Sequence, residues 1–69
     1  MKFNHSKLLG RMRERGVTQA TLAEAIGMNK GTLNAKLSSQ SFFTQCEMVS
    51  ICKVLNIPFK EIPLYFFAI

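Results

Sequence analysis

Sixty-nine residues give one domain, near the lower size at which a hydrophobic core supports itself. Hydrophobic residues are 48% of the chain and charged ones 19%, a globular composition rather than a disordered one. Lys and Arg number nine against four Asp and Glu, so the net charge is +5 and the pI about 9.7.

The whole excess lies in residues 1 to 36, where Lys2, Lys7, Arg11, Arg13, Arg15, Lys30 and Lys36 face only Glu14 and Glu24. A polyanion-binding face produces such an asymmetry. No apolar run approaches the roughly 18 residues that span a bilayer. The opening Met1-Lys2-Phe3-Asn4-His5-Ser6 also lacks the apolar block of a secretory signal. A cytoplasmic location without a membrane partner is expected.

The first helix starts at Ser6, a good N-cap, and carries Leu8, Leu9 and Met12 at helical spacing with arginines between them, up to Gly16. Arg11, Arg13 and Arg15 point in different directions at 100° per residue, so only one or two of them can share a face with a ligand. Thr18 caps the second helix, whose apolar stripe is Leu22, Ala23 and Ile26. Gly27 supplies the left-handed turn residue. Asn29 then caps the third helix, with Leu33 and Leu37 inward and Lys30, Gly31, Asn34 and Ala35 outward. Helices this short are not stable alone in water, so each must be held by the other across the turn.

Ser38-Ser39-Gln40-Ser41 reads as loop, followed by Phe42 and Phe43. Thr44-Gln45-Cys46-Glu47 has the form of a capping box and opens a fourth helix with Met48, Ile51, Cys52 and Leu55 buried. Pro58 opens a short fifth helix carrying Phe59 and Ile62, and Pro63 ends it. The apolar tail, residues 64 to 69, either folds back as core or extends as a strand that pairs with a second subunit; both stay open.

Cys46 and Cys52 lie six apart in the fourth helix, about 9 Å along its axis. They cannot be bridged without unwinding it. Both read as core thiols, and the single histidine, His5, as a surface residue. No Cys/His spacing suits a structural metal, and no cofactor or small-molecule ligand is expected.

Residues 18 to 37, TQATLAEAIGMNKGTLNAKL, resemble the helix-turn-helix of the Cro/C1-type, or XRE-like, family of phage and bacterial repressors. The matching positions are Thr18-Gln19, Leu22-Ala23, Gly27, Met28-Asn29 and Leu33. The flanking helices extend the resemblance over about residues 4 to 62, and both ends of the chain are similar to small phage-associated members. It implies an all-α, five-helix, lambda-repressor-like DNA-binding domain over residues 1–69.

The resemblance further implies that the third helix enters the major groove of an operator duplex. Lys30 would donate to guanine and Asn34 would pair with adenine; Gly31 would allow close backbone approach, and Ala35 would touch a thymine methyl. Phosphate contacts are expected from Thr18, Gln19, Asn29, Thr32, Lys36, Ser38 and Ser39. With Gly31 and Ala35 in place of longer side chains, DNA shape carries part of the recognition.

The expected function is a sequence-specific transcriptional repressor that binds a palindromic operator as a homodimer. The alternative is an antitoxin-like or antirepressor-like module that docks a protein through the apolar tail or the Phe42-Phe43 pair. An enzyme is not expected, because the four glutamates are dispersed, aspartate is absent and no nucleophile arrangement or phosphate loop is visible.

Overall fold

The computed structural model describes residues 3–69; Lys2, counted with the basic half, lies outside them. The elements are α1 (Ser6–Glu14), α2 (Gln19–Ile26), α3 (Lys30–Leu37), α4 (Gln45–Leu55), a 3₁₀ turn (Phe59–Glu61) and α5 (Ile62–Phe66). The fold is all-α, with no strand among the described residues.

Local chemistry starts and stops these helices where polar side chains can satisfy orphan backbone groups. Thr18 Oγ1 accepts from the Thr21 amide at 3.2 Å, and Thr21 Oγ1 accepts from the Thr18 amide at 2.9 Å. Thr44 and Glu47 exchange the same pair of bonds at the start of α4, at 3.2 and 2.8 Å. For α1 the N-cap position is His5, whose side chain makes no cap bond; Asn4, one residue earlier, accepts from the Ser6 amide through Oδ1 at 2.8 Å, so Ser6 is the first helical residue rather than the cap. Gly27 takes φ +71°, and the Met28 amide reaches back to the Ala23 carbonyl at 2.8 Å, which turns α2 directly into α3.

The core joins all five helices. Leu8, Leu22, Leu33, Ile51 and Leu55 are fully buried, with Ala23, Cys52 and Phe66 close behind. Each large side chain removed from water in this way contributes about 1.5–3 kcal/mol. α2 packs on α3 and α4, while α1 packs on α5. The small side chain of Ala23, on the inner face of α2, sits among them.

Residues 64–69 do not form a strand. Pro63 stands in the first turn of α5 instead of ending a helix, a position where its missing N–H has no partner to lose. Tyr65 and Phe66 are buried, and the Phe66 ring meets Phe43 edge to face at 5.3 Å. The radius of gyration, 10.7 Å, agrees with the roughly 11 Å of a packed chain this long. Beyond α5, the Ala68 carbonyl accepts from the Asn4 amide at 2.6 Å, and Phe3 stacks edge-on with both Phe67 and Phe42.

Two single residues also depart from expectation. His5 is 5% exposed: Nδ1 donates to the Leu37 carbonyl at 3.1 Å, and the ring lies edge-on to Phe43. It ties the start of α1 to the end of α3. Cys46 is exposed whereas Cys52 is buried, because Cys46 lies 200° around α4 from Met48, off the buried stripe. Burial pushes the Cys52 thiol above its ordinary pKa.

Candidate nucleic-acid interface

The outward row of α3 is set by its cap. Asn29 Oδ1 accepts from the Gly31 amide at 2.8 Å and the Thr32 amide at 3.4 Å, so its acceptor serves the helix. A Cβ on residue 31 would stand 3.1 Å from that oxygen, so a larger residue there would require the cap oxygen to give by a few tenths of an ångström. Lys30, Gly31, Thr32 and Asn34 are exposed and Ala35 is half-buried, with Leu33 and Leu37 beneath them in the core.

α2 sets its N-terminus beside this row. Asn34 Nδ2 donates to Gln19 Oε1 at 3.1 Å, which joins the expected adenine reader to the expected phosphate clamp. Arg13, Gly16, Val17, Thr18 and Gln19 line a shallow depression of about 530 Å³, so Arg13 stands with the start of α2. Its sister Arg11 is spent inside the fold on two carbonyls at the end of α4. The sequence could not choose among the three arginines; the structure puts Arg13 beside the start of α2.

Not every expected phosphate contact is free to act as one. Lys36 Nζ lies 2.9 Å from Glu47 Oε1 and donates to the Phe42 carbonyl at 2.9 Å, so its charge is matched within the fold. Burial pushes the Glu47 carboxyl up, but bonds from the Thr44 amide and from Lys36 outweigh it and hold the group below its ordinary value. Ser39 adopts φ +64° and donates its hydroxyl to the Phe3 carbonyl, which makes it part of the N-terminal attachment. Ser38 and Thr32 remain exposed.

A second surface has a different character. Between α4 and α5 runs an apolar groove of about 610 Å³ bordered by Cys46, Met48, Val49, Ile62 and Phe67. Phe42, Phe59, Leu64 and Ile69 are also exposed, Ile69 by 78%. The tail contributes to both core and surface. Among the described residues there is no cluster of His, Cys, Asp and Glu that could hold a metal ion, and no helix is long and apolar enough to cross a membrane.

The family whose description reads "Protein of unknown function (DUF739)" matches residues 1–69. The chain belongs to the DUF739 family. None of the curated proteins matches it. Among solved structures, this DUF739 chain is similar to the modulator of repression (MOR) of the temperate bacteriophage TP901-1 from Lactococcus lactis, known from a solution structure. The two are 33% identical, the match covers 97% of this chain and 90% of that one, and the TM-score is 0.80.

Proposed function

We propose that this DUF739 protein is a phage-type regulator of repression that binds double-stranded DNA through α3, in the manner of the Cro/C1-type, XRE-like repressors its helix-turn-helix resembles. The observation that carries the reading is the exposed row Lys30, Gly31 and Asn34, flanked by Thr18, Gln19 and Arg13 at the start of α2. Side chains that reach base edges stand beside groups that grip phosphate, on two rigid helices. In this reading Lys30 and Asn34 read bases. Gln19, Thr18 and Arg13 hold the backbone, with Thr32 and Ser38 at the margins. Lys36 and Ser39 serve the fold. A homodimer would place two α3 helices in half-sites about one helical turn apart.

Site selection from a random duplex pool at about 150 mM salt tests the reading. A palindromic winner bound on the order of 10³-fold tighter than scrambled DNA is the expected result. No enrichment, with weak binding that collapses as salt rises, would overturn it.

The groove between α4 and α5 supports a second reading, in which the protein modulates repression by docking another protein. A modulator of repression, as the similar TP901-1 protein is named, fits both readings. They separate on Val49→Ser, in the groove and outside the buried core: under the second, regulation is lost while DNA binding persists.

A further inference from the structure

Asn34 is not a free reader, because Gln19 already holds one of its hydrogen-bonding groups. A carboxamide has two N–H donors on Nδ2 and one acceptor oxygen. With one N–H given to Gln19 Oε1, Asn34 shows the groove one donor beside one acceptor. Adenine answers that pair with N7 and the N6 amino group, whereas guanine shows two acceptors, N7 and O6. A guanine in the same place would set its O6 against Asn34 Oδ1. An unpinned Asn34 could turn both N–H groups toward guanine and accept it.

We infer that Gln19 is a specificity-determining residue: by pinning the Asn34 amide, it makes that side chain choose adenine over guanine. The inference rests on the DNA-binding reading above. It gives one glutamine two duties, with Oε1 orienting Asn34 and Nε2 left free to donate to a phosphate. Pinning also removes rotamer freedom that Asn34 would otherwise lose on binding.

The test uses the full chain and the duplex recovered by site selection. Loss of preference in Asn34→Ala identifies the base pair read by Asn34, and A·T there is then exchanged for G·C. The parent protein is expected to prefer adenine by on the order of ten-fold. Gln19→Ala should fall to roughly three-fold or less while still binding the duplex. Gln19→Glu should keep the preference, because a carboxylate can only accept and so still takes the Asn34 N–H, while binding all duplexes more weakly beside the phosphates.

Gln19→Ala retaining the parental preference would overturn the inference and leave the DNA reading standing, as would Asn34→Ala losing preference at no base. If the parent enriches no site, both fall together. Gln19 and Asn34 lie outside the buried core, and thermal melting confirms that each variant is folded.

Discussion

Arg11 reaches from α1 to the far end of α4, where Nε donates to the Leu55 carbonyl at 3.1 Å and Nη2 to the Asn56 carbonyl at 2.7 Å. These carbonyls end a helix, carry its negative pole and have no partner within it. Arg11→Ala is therefore expected to lower stability by about 1–3 kcal/mol. Arg11→Lys should recover only part, since one ammonium nitrogen on a different stem does not reproduce the fixed geometry of two separate guanidinium N–H donors, Nε and Nη2. Arg13→Ala should leave stability within about 0.5 kcal/mol and reduce the salt slope of DNA binding by about one. Urea melts and affinity titrations across salt check both; equal destabilisation by the two alanines would sink the division of labour.

The lysine–glutamate pair between α3 and α4 predicts a pH dependence. The Glu47 carboxyl is held below its ordinary value of 4.5 in the folded chain. The unfolded state therefore binds more protons in that range, so the contribution is complete above the unfolded value and is lost as pH falls through the folded one. In urea denaturation at several pH values, the advantage of the parent over Glu47→Gln should hold near neutrality and shrink below about pH 4.5. A difference that stays constant down to acid pH would refute the assignment.

His5 links the chain's N-terminal segment to the last turn of α3. His5→Ala removes a buried ring and leaves the Leu37 carbonyl without its donor, a loss of about 2–4 kcal/mol. Amide exchange should accelerate in α3 near Leu37 more than in the middle of α4. Unchanged exchange there, or a stability loss under about 0.5 kcal/mol, would show that the contact contributes little.

How much of this was readable beforehand depended on sequence distance. Thr18, Gly27, Asn29 and the Thr44–Glu47 box act within three or four residues, and their roles follow from residue type and spacing. The buried stripe of α4 was equally legible. Cys46 was misassigned because residue type was weighed over its angle on that same helix. Arg11, His5 and Lys36 could not have been placed: their partners lie 44, 32 and 11 residues away, and nothing local separates Arg11 from Arg13. In the candidate interface the outward row was predictable, whereas the Gln19–Asn34 bond spans two helices and needed the turn between them.

The tail divides by side chain. Phe66→Ala should cost about 3–5 kcal/mol, because the ring is 2% exposed and packs on Phe43. Leu64→Ser should change stability by less than about 1 kcal/mol, its side chain being half exposed. Equilibrium denaturation decides; similar losses for both would mean that the tail is buried as a whole.

Lys30 is exposed in the first turn of α3, where a cation is mildly disfavoured by the helix dipole. Lys30→Ala should accordingly leave the fold intact and remove about 1–3 kcal/mol of preference for the selected duplex over scrambled DNA. Equal loss on both duplexes would reassign it to the phosphate backbone.

The bond from Asn4 to Ala68 closes nearly the whole described chain into a ring. In kinetic terms this is the longest loop that folding must close, and closure entropy places such a contact late on the pathway. Substitutions at Phe3 or Phe67 should then speed unfolding and leave the refolding rate nearly unchanged. Because Phe3 and His5 also hold Ser39 and Leu37, the same clasp that closes last would be the first to loosen the end of α3.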